Sequence, residues 1–487
     1  VRRRARVLLL AIAAPASLLV ITPAAHPQPA AVAPATVSSV VEQYRDTAHV
    51  PGVAVAVTRG DRVILARGFG HTADGQEVTA TTVMAMASVS KSFTALAVVQ
   101  LAEQGRLELD QPVQRYLPEF VTADPRGARI TARQLLDQTS GLTDAGVSQF
   151  TRPQPESLRD SVADFRDAEL TSPPGSQWAY YNPNYQIAAR LVEVVSGQPF
   201  DEYLADHVFT PLAMNDSRSI GTDDDLPPTA HGHLKLLGHP IPAAEPTAFG
   251  AGSGGVLSTA EDMTSWLIMQ NRSTPPGTTA VVSPESLKTM HSPSSSVSGD
   301  YALGWSVGRT PSGAPLVSHG GDLFTSTTCQ ALLPESGYGI AVMANTGLAY
   351  GDASAIGKRL VALIDGEPAA PASAQTVAVD GVLLGIALLA LALGTIGFVR
   401  ARRWATTHTI RRALIGVPLL LAPLVVLVLF PAIVRALYRG RDITWTQAFY
   451  LYPSFMILLI ALSAATTLVG GARLVWKARL SEPGSRP

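Results

Sequence analysis

The sequence predicts a mixed α/β domain of the α+β type, an antiparallel sheet flanked by helices with a helical insertion, followed by three transmembrane helices. Three observations predict it. Two strand-like runs near the start of the domain and three or four near its end bracket a long helical stretch punctuated by Pro and Gly, so one sheet is assembled from both ends of the domain. Inside the bracket, Met86 to Leu101 is almost wholly apolar and reads as a buried helix. Beyond it, Gly381 to Val399, Ala413 to Val434 and about Ala448 to Val469 each approach the roughly 20 residues that span a bilayer.

Taken in order, residues 1–25 join a basic stretch (Arg2, Arg3, Arg4, Arg6) to an apolar run, the pattern of a signal peptide or an N-terminal anchor; cleavage and retention both stay open. Residues 26–36 are Pro/Ala-rich and read as a linker. The domain itself is placed at residues 37–365. Val37 to Tyr44 is a short helix. Val53, Val55 and Val57 alternate with small residues, Arg59 to Arg62 turns the chain, and Val63 to Phe69 completes a hairpin. Further helices are read at Ala132 to Asp137, Asn184 to Val195, Phe200 to His207 and Ala260 to Gln270. Strands are read at Ala302 to Val307, Pro315 to Ser318, Thr325 to Leu333 and Gly339 to Ala344, with a closing helix at Asp352 to Ile364. Residues 366–378 form a second linker, residues 379–472 the three spans and residues 473–487 a cytoplasmic tail. Trp445, Tyr450, Tyr452 and Trp476 flank the third span as interfacial aromatics would.

Composition narrows the function. A net charge of −1 over 487 residues leaves no footprint for nucleic acid. Charged residues make up only 15% and mean hydropathy is +0.20, an apolar excess concentrated at the two ends. The lone Cys329 excludes an internal disulfide and reads as a small core residue. His231, His233 and His239 are close in sequence, but no carboxylate or Cys frames them as a metal site, so they read as loop residues.

Chemistry concentrates at Ser88-Val89-Ser90-Lys91. The i, i+3 spacing puts hydroxyl and amine on one helix face, where an amine discharged by burial can take the proton of a weak alcohol nucleophile. On these four residues alone, an ordinary N-cap followed by a solvated lysine is the commoner reading. Three later segments bear on the choice: Leu135 to Leu142, with Gln138-Thr139-Ser140-Gly141; Tyr180-Tyr181-Asn182, ahead of a helix; and Ser318-His319-Gly320-Gly321-Asp322, at a strand start.

Together and in this order, Ser88-x-x-Lys91, Tyr180-x-Asn182 and His319-Gly320-Gly321 resemble the three signatures of the serine β-lactamase and penicillin-binding protein superfamily. The closer match is the branch of class C β-lactamases, D-Ala-D-Ala carboxypeptidases and related esterases. Leu101 to Asp110, Thr139 to Leu142 and Gly254 to Asp262 add to the likeness, which covers about Val37 to Ile364. The resemblance implies a β-lactamase-like fold and an acyl-enzyme mechanism in which Ser88 attacks a carbonyl while Tyr180 and Lys91 move the proton. It implies that Asn182 contacts the substrate amide and holds Lys91, and that the Ser88 and Asp322 N–H groups form the oxyanion hole, with Gly320 and Gly321 letting the strand approach. No metal or cofactor is implied. Tyr181 is bulkier than the residue usual at that place, which leaves a one-residue shift between Tyr180 and Tyr181 open. His319 stands where true β-lactamases carry Lys. Near its reference pKa of about 6.5, it is expected to favour an anionic substrate increasingly as pH falls.

The functional expectation is a membrane-tethered extracytoplasmic serine hydrolase of D-Ala-D-Ala-like peptides, esters or amides. Its partners are a small-molecule or peptide substrate, cell-wall peptide among the candidates, and the lipid membrane. The alternative is a penicillin-binding sensor that acylates or binds without efficient turnover. Arg400, Arg402, Arg403, Arg411 and Arg412 between the first two spans, and Arg473, Lys477, Arg479 and Arg486 after the third, outnumber Arg435, Arg439 and Arg441 in the other loop. The positive-inside rule then puts the hydrolase domain outside a multi-pass membrane protein.

Overall fold

A computed structural model describes residues 32–481 apart from 272–273, 296, 369–374, 410–415, 417 and 438–442. The proposed signal or anchor segment, residues 26–31 of the first linker and residues 369–374 of the second lie outside the described residues. Helix α1 (Pro34–Ala48) starts earlier than the expected Val37 because Pro34 takes the first helical position, where a missing N–H costs nothing. Strands β1 (Gly52–Arg59) and β2 (Arg62–Gly70) form the expected hairpin. After β3 (Met84–Ala85) comes the apolar helix α2 (Ser90–Glu103).

The insertion holds α3 (Ala132–Leu136), α4 (Leu158–Ala163), α5 (Pro183–Ser196), α6 (Phe200–Leu204), β4 (Arg218–Ser219), β5 (Gly232–Leu236), β6 (His239–Ala243), β7 (Val256–Ser258), α7 (Ala260–Gln270) and α8 (Pro284–Met290). The chain returns through β8 (Ser306–Arg309), β9 (Pro315–Asp322), β10 (Thr327–Leu333) and β11 (Tyr338–Ala344), and α9 (Asp352–Asp365) closes the domain.

The expected assembly from both ends is what forms. The main sheet has six antiparallel strands in the order β2-β1-β11-β10-β9-β8, and β1 joins β11 with Val53 opposite Ala344 and Val57 opposite Ile340. Strand β1 is buried on both faces, so its alternation is one of size rather than polarity. Val53, Val55 and Val57 meet α1 and α9, while Ala54 and Ala56 leave room on the other face for α2 and α7. There Phe93 of α2 stacks on Trp266 of α7, with ring centroids 3.8 Å apart.

Three local readings are corrected. Ala302 to Val307 is not one strand: the chain turns at Ala302–Trp305, with Gly304 pressed against the carbonyl of Lys91 so closely that a Cβ there would sit 2.8 Å from it. His319 to Asp322 lie at the end of strand β9 rather than at a strand start. Cys329 is half-buried, its sulfur lying where a Cβ on Gly357 would approach to 2.7 Å.

The C-terminal region departs further. Among the described residues two helices, not three, are long and apolar enough to cross a membrane: α10 (Gln375–Val399), then, after α11 (Ala401–Thr407), α12 (Ala422–Leu437) and α13 (Trp445–Leu451), α14 (Pro453–Ser481). In the middle stretch the described helix α12 has 16 residues, with Pro423 in its first turn and Pro431 in its interior; part of that stretch lies outside the described residues. Helix α14 runs on through residues read as the start of a tail. It packs along α10 in the same direction: Asp380 meets Ser454, Gly394 meets Ala465 and Gly397 meets Val469. The glycines allow this approach, as small residues do between helices in lipid.

Candidate active site

Ser88 sits in a single 3-10 turn, Ala87–Val89, immediately ahead of α2. The turn is pinned from two strands. Met86 N donates to Val256 O at 2.8 Å, Val256 N donates to Ser90 Oγ at 2.9 Å, and Thr328 Oγ1 donates to Met86 O at 2.7 Å. Ala87 adopts φ +46°, left-handed backbone that costs a non-glycine residue roughly 1–2 kcal/mol and persists only where neighbours hold it. Ser88 is left half-buried, with its hydroxyl facing Lys91.

Lys91 is fully buried. Its Nζ lies 3.0 Å from Ser88 Oγ and donates to Ser253 O at 2.7 Å. Burial pushes its pKa well below the usual lysine value, because an ammonium without water or a carboxylate partner is costly. The Gly250–Gly255 loop that supplies Ser253 O is held by Thr94 Oγ1 donating to Gly252 O at 2.6 Å.

The Tyr180-Tyr181-Asn182 segment enters beside this lysine. Lys91 Nζ lies 5.0 Å from the centroid of the Tyr180 ring, and that ring is 6.4 Å from His319. Tyr181 is wholly buried instead, its hydroxyl on Val147 O, so of the two tyrosines Tyr180 is the one brought to Lys91. Gln138, in left-handed backbone, orders the segment. Its Oε1 accepts from Tyr181 N at 3.1 Å and from Asn184 Nδ2 at 2.7 Å. The expected bond from Asn182 to Lys91 is not made. Asn182 Nδ2 donates to Gln149 Oε1 at 2.8 Å, and the buried Oδ1 has no partner.

The end of β9 closes the site. Gly321 lies opposite Thr328, and a Cβ there would meet Thr328 Oγ1 and come within 2.5 Å of Met86 O, so only glycine lets the strand reach the turn that carries Ser88. Gly320 is different: a Cβ there would make ordinary contacts at 3.7 Å and 3.9 Å. Asp322 is exposed and ends the strand opposite Thr327.

His319 is buried and both ring nitrogens are engaged. Nδ1 lies 2.6 Å from Gly320 O, which only accepts, so Nδ1 carries the proton and Nε2 accepts from the Tyr301 hydroxyl at 2.9 Å. Burial, with the nearby Lys91, lowers its pKa to about 4. The expectation of a histidine titrating near neutrality is therefore corrected: the environment that positions the ring also keeps it uncharged.

Sequence reasoning did not single out Tyr301, Ser253, Gln149 or Trp178. Trp178 is 45% exposed and, with Tyr180 and Tyr301, forms an aromatic rim, with centroid separations of 6.1–6.5 Å. Only the glycines around Ser253 left a signal. Among the described residues no three His, Cys, Asp or Glu side chains converge as a metal site.

Comparison with known proteins agrees with this architecture. The family model described as Beta-lactamase matches residues 37–363. Protein flp of Staphylococcus aureus (strain MW2) is 28% identical over 321 residues, 64% of this chain and 63% of its own length. The match thus spans a little under two thirds of that relative. Penicillin-binding protein 4 of Amycolatopsis lactamdurans is 32% identical over 63% of this chain and 84% of its own. Among solved structures, the octameric penicillin-binding protein homologue from Pyrococcus abyssi superposes with a TM-score of 0.59 at 27% identity, covering 69% of this chain and 78% of that one. A class C β-lactamase from Rhodobacter sphaeroides shares the fold, with a TM-score of 0.54 at 19% identity over 68% of this chain and 98% of that one. With two thirds of its length matched, and with a six-stranded antiparallel sheet presenting Ser88, Lys91 and Tyr180 together, the chain belongs to the beta-lactamase family.

Proposed function

We propose that the protein is a membrane-tethered serine hydrolase that works through an acyl-enzyme on Ser88. The observation that carries this reading is the buried Lys91, with Nζ 3.0 Å from Ser88 Oγ and a pKa lowered by burial. Ser88 Oγ attacks the carbonyl carbon while its proton passes to the uncharged amine of Lys91. The N–H groups of Ser88 and Asp322 receive the oxyanion, Tyr180 gives its proton to the departing alcohol or amine and is reprotonated by Lys91, and water then releases the acyl group. Asn182, with its open Oδ1, and the aromatic rim contact the acyl donor. Burial favours the uncharged forms of both Lys91 and His319, which favours a neutral ester or amide over a donor whose carboxylate needs a cationic partner.

Membrane tethering rests on α10 and α14, which begin side by side next to the hydrolase domain. Their far ends carry Arg400, Arg402 and Arg403, and Arg473, Lys477 and Arg479, with Arg402 and Arg479 each 5.4 Å from the Trp476 ring. Basic residues gathered at the end away from the hydrolase domain favour an extracytoplasmic active site. One contact favours a second reading, an acylated sensor: Tyr450 of α13 reaches Ala244, at the edge of the hydrolase domain.

The test is labelling of the full chain with a fluorophosphonate and a penicillin, followed by turnover of p-nitrophenyl esters, a D-Ala-D-Ala peptide and nitrocefin. Wild type is expected to carry the label on Ser88, and Ser88→Ala to lose both label and turnover. Stoichiometric labelling without steady-state turnover would favour the sensor, and equal turnover by Ser88→Ala would overturn the assignment.

A further inference from the structure

Two residues beyond Asp322, the chain turns between β9 and β10, and an unusual set of contacts fixes that turn. Glu245, buried just after the β5–β6 hairpin, accepts from Phe324 N at 2.8 Å through Oε1. Through Oε2 it accepts from Thr325 N at 2.8 Å and from Thr325 Oγ1 at 2.6 Å. The hairpin adds His233 N donating to Thr325 O at 3.0 Å. One desolvated carboxylate taking three hydrogen bonds is a stiff fastening, since each loose donor would be left buried and unpaired.

The other side of this fastening comes from outside the hydrolase domain. Tyr450 of α13, directly ahead of the apolar helix α14, donates to Ala244 O at 2.8 Å, and its ring meets Phe324 edge-on at 6.2 Å. The hairpin is gripped a second time by α10 and α14: Leu237 N donates to Asp380 Oδ2 at 3.0 Å, and Ser454 Oγ donates to Asp380 Oδ1 at 2.7 Å. Interfacial aromatics were expected of Tyr450, yet its hydroxyl and ring edge are spent on the hydrolase domain. A membrane anchor has no need to touch the segment that follows the oxyanion strand.

We infer that Tyr450 and Glu245 are positioning residues of the hydrolase site, through which the membrane-proximal helix α13 holds the turn that orients the Asp322 N–H. The membrane region is then a working part of the active site as well as a tether. This rests on the assignment of Ser88 and Asp322 as oxyanion donors made above. Because an oxyanion contact is made in the transition state, loosening the turn lowers the acylation rate constant and leaves KM nearly unchanged.

The test uses the full chain in nanodiscs, with Tyr450→Phe, Tyr450→Ala and Glu245→Gln, and with Leu389→Ala on the exposed face of α10 as control. Two readouts are taken: amide hydrogen exchange over residues 322–328, and the rate of Ser88 acylation by a p-nitrophenyl ester. Tyr450→Phe removes one hydroxyl and keeps the ring, so it gives a folded variant even where the others do not. The expected result is faster exchange at Phe324 and Thr325 in all three variants. Acylation should slow by about ten-fold in Tyr450→Ala and Glu245→Gln and by less in Tyr450→Phe, with KM within about two-fold and Leu389→Ala like wild type. Unchanged exchange in Tyr450→Ala would overturn the brace. Faster exchange with unchanged acylation would overturn its positioning role. A wild type that no probe acylates would contradict the proposed hydrolase function instead, and the exchange data would still decide the brace.

Discussion

Helices α2 and α10 have nearly the same hydrophobic pattern and opposite surroundings. Both are largely apolar on every side; between its ends α2 carries one ionisable residue, Lys91, with Glu103 as its last residue, and α10 carries one, Asp380. In α2 every residue from Ser90 to Leu101 is buried by protein. In α10, Val382, Leu388 and Val399 are 62%, 70% and 75% exposed. A helix without a polar face must be surrounded, and the two differ in what covers them: the sheet and insertion cover α2, while the protein leaves α10 largely uncovered, as the proposed membrane span requires. The polar residue reads differently too. Asp380 has both carboxylate oxygens occupied, as a clamp would, whereas Lys91 is buried with its amine 3.0 Å from a hydroxyl, the arrangement its proposed role as a base requires.

The sharpest way to break this contrast is to neutralise each group. Lys91→Met is expected to slow acylation of Ser88 by about 1000-fold in a protein that still folds, within the 10²–10⁴ range for a lost general base. Asp380→Asn still offers an acceptor to Ser454 or Leu237 and should change the rate by less than about three-fold. Stopped-flow acylation with an activated ester measures both. Next in size is the surrounding itself. Leu96→Ala in α2 opens a cavity and should cost about 2–5 kcal/mol in thermal unfolding, while Leu389→Ala in α10 should stay within about 0.5 kcal/mol.

Smaller effects test the edge of the site packed against the turn before α2. Gly321→Ala should slow acylation by about 100-fold, since its Cβ would collide with Thr328 and Met86, and Gly320→Ala should be close to wild type. The smallest expected effect concerns His319. With its pKa lowered to about 4, the ratio of turnover on an anionic and a matched neutral ester should stay flat between about pH 8 and 6. The same depressed pKa gives a stability trend. Below about pH 6.5 the unfolded chain protonates this histidine while the folded chain does not, so stability falls as pH drops toward 4. Unfolding temperatures at pH 7 and 5 should differ less in His319→Gln than in wild type.

Much of this was legible in the sequence where chemistry is local. Ser88 and Lys91 lie one helical turn apart, and Tyr180, His319 and Gly321 sit in short motifs, so their types and order were readable. The antiparallel sheet built from both ends was readable from strand-like runs on either side of the insertion. The unread parts depend on contacts between distant segments. Tyr301 reaches His319 from a loop with no periodicity, and that contact helps bury the histidine whose reference pKa had suggested a titrating group. The choice between Tyr180 and Tyr181 needed the burial of Tyr181, whose hydroxyl reaches Val147 O. The β5–β6 hairpin went unread because Pro240 and Pro242 interrupt its alternation. The middle apolar stretch, which hydropathy alone reads as a span, is described only in part, with α12 as its 16-residue helix.

The account stands most directly on Lys91 acting as an uncharged amine beside Ser88, and the pH dependence of the single-turnover acylation rate with a neutral ester tests it. Lys91 activates Ser88 only when deprotonated. The predicted profile therefore rises with pH and levels off well below the ordinary lysine value of 10.5, and this limb disappears in Lys91→Met. A rate that is still climbing at that value, or a Lys91→Met profile that keeps the wild-type limb, would contradict the account.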